Sequence, residues 1–164
     1  ALELLELALP LYGLTQKFGA KLFINDRVDV ALAIGAEGIQ RTHDSLPTSA
    51  IRMRAGAEKL IGVSVHSLEE ARTAQADGAD FVVFGPVYDT PSKRPYGPPQ
   101  GLEPLARCAR AVSIPVFAIG GITPERVSTV KAAGARGVAV ISAIIAAERP
   151  GDVTKAFLDA LGSA

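Results

Sequence analysis

The run Ile114-Pro115-Val116-Phe117-Ala118-Ile119-Gly120-Gly121-Ile122-Thr123-Pro124-Glu125 decides how this chain is read. Its apolar residues do not alternate with polar ones, which is the pattern of a strand covered on both faces. The run stops at two glycines, and Thr123-Pro124 then opens a helix, with proline at the first helical position, where its missing N–H is no loss. The stretch therefore predicts a buried parallel strand feeding a helix N-terminus. Gly137-Val138-Ala139-Val140-Ile141-Ser142-Ala143 repeats the idea. Such paired ends can hold a phosphate, because bare backbone lets an anion approach and the helix N–H groups attract it. Ordinary strand-to-helix turns without a ligand fit the glycines equally well.

Outward from that run, a Gly-Ala pair recurs at Gly19-Ala20, Gly35-Ala36, Gly56-Ala57, Gly78-Ala79 and Gly134-Ala135, each shortly before a strand-like segment. Glycine at such a place ends a helix in the left-handed conformation. Six strands are expected: 21–25, 38–41, 59–64, 81–85, 115–120 and 138–142. Helical patterns lie between them at 27–34, 48–54, 68–76, 102–111 and 124–133, with a last one over 144–161 broken at Pro150-Gly151. Strict strand-helix alternation argues for a parallel sheet with right-handed crossovers. Residues 1–18 form a broad apolar helix face with an expected kink at Pro10. No G-x-G-x-x-G follows the first strand, which lowers the dinucleotide-binding option.

The 164 residues suit one domain but are few for a complete (β/α)8 barrel, which typically needs about 250. In such barrels the customary phosphate site lies in the loops after strands 7 and 8. Hydrophobic residues make up 48% of the chain, ample for a core, and no run approaches the length of a membrane span. Lysine plus arginine balances aspartate plus glutamate, 17 against 17, so nothing suggests a nucleic-acid or membrane partner. The single cysteine, Cys108, excludes an intrachain disulfide and reads as an apolar helix-face residue; a cytoplasmic home is expected.

Candidates for chemistry stand at the strand ends. Asp26 can hold a magnesium ion, a hard cation that takes oxygen ligands, or can merely cap the helix that follows. Ser64 can donate to a phosphate or cap a turn. His66 precedes Ser67 and Glu70, which fit a capping box, so it reads as a helix entry rather than a general base. Residues 86–101 form the only long irregular segment, with four prolines besides Pro86, and are the lid candidate. Lys93 in that loop is a mobile cation near two anion sites, or a solvated lysine.

Five motifs occur in order: Phe23-Ile24-Asn25-Asp26-Arg27-Val28-Asp29, Ile61-Gly62-Val63-Ser64-Val65-His66-Ser67, Gly85-Pro86-Val87-Tyr88-Asp89-Thr90-Pro91-Ser92-Lys93, Ala118-Ile119-Gly120-Gly121-Ile122 and Val138-Ala139-Val140-Ile141-Ser142-Ala143. Together they resemble the thiamine phosphate synthase family over nearly the whole chain, and the match is specific as a set. The resemblance implies a (β/α)8 barrel over residues 1–164 as one domain, with the family's strands 1 and 2 lacking a counterpart. It implies an enzyme that joins hydroxymethylpyrimidine pyrophosphate to thiazole phosphate and releases pyrophosphate with the help of magnesium. Asn25, Ser64 and Lys93 would contact the pyrophosphate, and Asp26 would bind the metal. Gln40, Thr90, Ser92, Gly120, Gly121, Ile141 and Ser142 would lie around the substrates. A homo-oligomer is a further expectation.

Three departures from the family pattern accompany the match. The usual His-Leu-Gly-Gln-x-Asp is here Gln40-Arg41-Thr42-His43-Asp44-Ser45, so Ser45 replaces the second metal carboxylate and Asp44 is one residue out of place. The Gly-His-Val-Phe of the related thiazole tautomerases is Gly85-Pro86-Val87-Tyr88, which disfavours that activity by removing its histidine. The basic Gln-Leu-Arg-Glu-Lys clamp of strand 2 has no counterpart. The synthase is the leading reading; a thiazole tautomerase relative and a catalytically inactive phosphate-binding protein are the alternatives.

Overall fold

The computed structural model describes residues 2–42 and 44–163, the side chains of Ser92, Pro95 and Tyr96 excepted. His43 and the Ser92 side chain, both named above, lie outside the described residues. Six parallel strands alternate with helices, and the chain divides into two compact units. No helix among the described residues is long and apolar enough to cross a membrane.

The first unit comprises Ala1–Ser64 and Ala76–Asp80. It contains α1 (Leu2–Lys17), β1 (Phe23–Asn25), α2 (Val28–Ile34), β2 (Gly38–Arg41), α3 (Thr48–Ala55) and all but the last residue of β3 (Leu60–Val65). The ladders run in chain order, with Ile24 paired to Ile39 and Ile39 to Ile61. These isoleucines, together with Val28, Ala31, Ile34 and Ile51 from the helices, are buried and form the unit's core. Glycine is required at position 38, where the Phe23 ring and the Leu60 carbonyl oxygen occupy the space of a side chain.

Arg52 ties the rim of this unit together. Its guanidinium donates to the carbonyls of Gly78, Gly56 and Lys59 and to the Asp80 carboxylate, which also accepts from the Ile61 N–H at 2.6 Å. One planar fork thus satisfies backbone acceptors that the turns leave without partners. α1 runs as one helix through Pro10, with Leu7, Leu11 and Leu14 exposed at helical spacing along it and Phe18 exposed in the turn just past it.

The second unit comprises Val65–Gln75 and Phe81–Ala164. It holds α4 (Leu68–Ala76, whose last residue belongs to the first unit), β4 (Phe81–Phe84), α5 (Leu102–Ala111), β5 (Val116–Ile119), α6 (Val127–Ala132), β6 (Gly137–Ala139), α7 (Ser142–Ile145) and α8 (Pro150–Gly162). Val82 pairs with Val116, and Ala118 with Val138. Phe84, Leu105, Val127 and Val130 are fully buried, each contributing roughly 1.5–3 kcal/mol by leaving water. Cys108 is buried on α5, as its apolar neighbours predict, and burial pushes its thiol pKa up.

Several boundaries differ from expectation. The helix expected over 124–133 begins as a 3-10 turn, Pro124–Arg126, before α6. The last helical pattern splits earlier than Pro150-Gly151, because Pro150 starts α8 rather than interrupting a helix. β6 ends at Ala139, so Val140-Ile141 is a turn and Ser142 opens a short helix. Residues 86–101 are not wholly irregular, since Pro91–Tyr96 forms a 3-10 helix. The glycines of the five Gly-Ala pairs all take positive φ, from 64° to 98°, as their placement predicts.

Candidate functional site

In the first unit the candidates stand at the carboxyl ends of β1, β2 and β3. Asn25 ends β1 and is exposed. Asp26, next in the chain, has φ of 59°, and it alone among the described non-glycine residues has positive φ. Its N–H donates to the Gln40 carbonyl at 3.0 Å. That backbone turn swings the Asp26 side chain over to the end of β2, where Thr42 meets it twice. The Thr42 N–H donates to Oδ1 at 2.7 Å and the Thr42 hydroxyl to Oδ2 at 2.6 Å. The capping role considered for Asp26 is overturned, since α2 has no side-chain cap and both carboxylate oxygens are engaged by Thr42.

Partial burial by itself would raise the Asp26 pKa, but the Thr42 side-chain and backbone hydrogen bonds, the Ser45 hydroxyl and the Arg41 charge outweigh it. The carboxyl is held below its ordinary value and ionised at neutral pH. Ser45 Oγ favours that charge yet falls short of hydrogen-bond geometry, and it is buried without a hydrogen-bond partner. Asp44 is exposed. Arg41 donates from Nε to the Leu46 carbonyl at 3.1 Å. Gln40 donates from Nε2 to Ser64 Oγ at 3.0 Å, which leaves the serine proton for another acceptor.

As a place for a hard dication this corner offers Asp26 as its carboxylate and Ser45 as a neutral oxygen. No cluster of three or more His, Cys, Asp and Glu suited to a metal occurs among the described residues. Magnesium commonly binds through one or two carboxylates plus substrate phosphates, so the donor set fits that ion when a phosphorylated ligand completes it. The partnerless Ser45 Oγ is a polar atom for which such an ion or its water would supply a partner.

In the second unit β5 and β6 lie side by side, with Ile119 opposite Ala139, so the turns at Gly120-Gly121 and Val140-Ile141 leave neighbouring strand ends. Ile141 and Ser142 are exposed there. The glycines have a further cause beyond ligand access. A side chain on Gly120 would meet Pro86 Cβ at 2.5 Å, and one on Gly121 the Asp89 carbonyl oxygen at 2.5 Å. The strand-to-loop segment after β4 therefore packs directly on this turn, and Val87 and Tyr88 donate N–H groups to the carbonyls of Ile119 and Gly120. Arg126 holds the turn from the other side, donating to the Gly121 carbonyl at 2.6 Å while its guanidinium lies 4.3 Å from the Tyr88 ring centre.

The 86–101 excursion is closed at its base, where Gln100 and Gly101 donate N–H groups to the carbonyls of Pro86 and Val87. Asp89 and Arg94 pair across it, and Lys93 is exposed on its 3-10 helix, whose first turn rests on Thr90. His66 is a helix entry as read: its N–H donates to the Glu70 carboxylate and the Glu70 N–H to Ser67 Oγ, while its Nδ1 sits 2.5 Å from the Gly85 carbonyl. Arg126 was not among the sequence candidates, and Thr42 lay within the Gln40 to Ser45 strand-end stretch without a role of its own. The only signal for Thr42 was that a hydroxyl stands where the family pattern has glycine.

Residues 1–144 match the model of the family described as thiamine monophosphate synthase. The chain belongs to that family. Among relatives of this thiamine monophosphate synthase family member, a putative thiamine-phosphate synthase of Geobacter sulfurreducens is 50% identical over 96% of this chain and 74% of its own length. A thiamine-phosphate synthase of Roseiflexus castenholzii is 48% identical over 91% of this chain and 65% of its own. Among solved structures, the thiamine phosphate pyrophosphorylase of Pyrococcus furiosus superposes with a TM-score of 0.90 at 37% identity, covering 98% of this chain and 77% of that one.

Proposed function

We propose that this family member is a thiamine-phosphate synthase, a transferase that joins hydroxymethylpyrimidine pyrophosphate to thiazole phosphate and releases pyrophosphate. The observation that carries this reading is that the motif residues occupy the carboxyl ends of their strands. Asn25, Gln40 and Ser64 do so in one unit, and Gly120-Gly121 and Ile141-Ser142 follow strand ends in the other. Strand carboxyl ends are where enzymes of this architecture bind substrates. The six strands are read as strands 3 to 8 of the family's (β/α)8 barrel.

In the reaction the bond between a benzylic-type carbon and the pyrophosphate breaks, and negative charge builds on the leaving group. Fixed donors stabilise such charge best when they are oriented before it appears. Ser64, held by Gln40 with its proton free, and Asn25 are suited to that role. Backbone N–H groups around Gly121 and Ser142 are proposed to hold the thiazole phosphate, with Thr90, which follows the Asp89 that packs on Gly121, and Ser92 proposed beside it. Magnesium, held by Asp26 and Ser45, would supply charge neutralisation of the pyrophosphate. No nucleophilic side chain takes part. The test is direct: with both substrates and magnesium, thiamine phosphate and pyrophosphate should appear in equal amounts. Absence of both products from folded protein would leave the phosphate-binding alternative.

A further inference from the structure

We propose that Thr42 is a positioning residue that sets the plane of the Asp26 carboxylate for a divalent cation bound with pyrophosphate. This rests on the synthase reading of the corner, but concerns a residue to which that reading gives no role. Asp26 is held in the left-handed region, which is unfavourable for a non-glycine residue and persists where surrounding contacts over-determine it. Those contacts are the Asp26 N–H on the Gln40 carbonyl and the two Thr42 donations. A single hydrogen bond fixes one carboxylate oxygen but leaves the group free to turn about its last torsion. Two bonds, one to each oxygen, fix the plane, and each oxygen keeps a lone pair for another ligand.

The second contact is made by a side chain, so it can be removed without touching the backbone. Valine is close to threonine in shape and keeps the N–H donation while deleting the hydroxyl. Serine keeps both. Ser45 Oγ, buried and without a hydrogen-bond partner in the same corner, marks where a further oxygen ligand is available. Outer partners of metal-binding groups typically influence metal affinity by about 10–100-fold.

The probe is manganese, followed by its free-ion paramagnetic signal as protein is titrated in with inorganic pyrophosphate present, for the wild type, T42V, T42S and D26N. Circular dichroism checks that each is folded. T42V should weaken manganese binding about tenfold, while T42S should stay within about twofold of wild type and D26N should lose the site. Turnover by T42V should recover at high magnesium, so that the apparent magnesium requirement rises while the limiting rate changes little. Wild-type binding in T42V, with D26N impaired, would overturn the role of Thr42 alone. An equal loss in T42S and T42V would also overturn it, because the hydroxyl would then not be the cause. Unchanged binding in D26N would remove the metal reading of Asp26 and the proposal with it. Should T42V not fold, T42A, which also deletes the hydroxyl, gives the same comparison with T42S.

Discussion

Gln40 Nε2 donates to Ser64 Oγ at 3.0 Å, joining the carboxyl ends of β2 and β3. The direction of that bond matters, because a serine oxygen that accepts has its own proton to give. Replacing Gln40 by leucine removes the donor and leaves Ser64 to turn. A neutral hydrogen bond is worth about 0.5–1.5 kcal/mol, so Q40L should lower kcat/KM for the pyrimidine pyrophosphate roughly 2–10-fold. Initial rates against that substrate, compared with S64A, check it; an unaltered kcat/KM in Q40L would show that the bond positions nothing.

Gly121 should tolerate no side chain. Its φ is 61°, and a Cβ would meet the Asp89 carbonyl oxygen at 2.5 Å and Tyr88 Cβ at 2.8 Å. Left-handed strain of about 1–2 kcal/mol and overpacking of about 1–3 kcal/mol add, so G121A should be destabilised by about 2–5 kcal/mol. Gly13 is the control. It lies exposed inside α1 with nothing within 4 Å of a Cβ, and G13A should gain about 0.5–1 kcal/mol from helix propensity. Urea denaturation of both variants reads the contrast.

Arg52 should resist replacement even by lysine. Its side chain is 24% exposed and serves three carbonyls and a carboxylate, a set that one ammonium cannot span. R52K should lose about 1–2 kcal/mol and R52A about 3 kcal/mol, as carbonyls and the Asp80 charge lose partners. Thermal melts should place R52K between wild type and R52A; a wild-type melt for R52K would mean that charge alone suffices.

Asp29 supplies an acid-range signature. The Arg27 side-chain hydrogen bond, chiefly, brings its pKa from the ordinary 3.8 down to about 2. Because the folded state favours the charged form, the contribution is complete above about 3.8 and fades as pH falls towards 2. Carbon-detected carboxyl titration should find Asp29 near 2, and R27A should return it towards 3.8. An unmoved midpoint in R27A would exclude the pair as the cause.

Much of the fold was legible because its signals are local. Unalternating apolar runs marked the strands, and the Gly-Ala pairs marked the helix ends, since only glycine takes those φ values cheaply. The Ser67–Glu70 cap was legible for the same reason. Asp26 was singled out but left between two roles, because its partner Thr42 is brought to it by strand pairing, which no local spacing announces. The glycines at 120 and 121 were read as room for an anion. Part of their cause is instead the approach of Pro86 and Asp89, a contact set by β4 lying beside β5.

The closed base of the 86–101 excursion also bears on how the chain can vary in length. With Gln100 and Gly101 bonded to Pro86 and Val87, the residues beyond the base are a loop whose ends are already joined. Lengthening such a loop is cheap, about 0.6 kcal/mol for each doubling. The exposed Gly97-Pro98-Pro99 stretch lies past the 3-10 helix. Additions there would leave Lys93 and the Asp89–Arg94 pair in place, which makes it a natural point for family members to diverge in length and for a reporter peptide to be grafted.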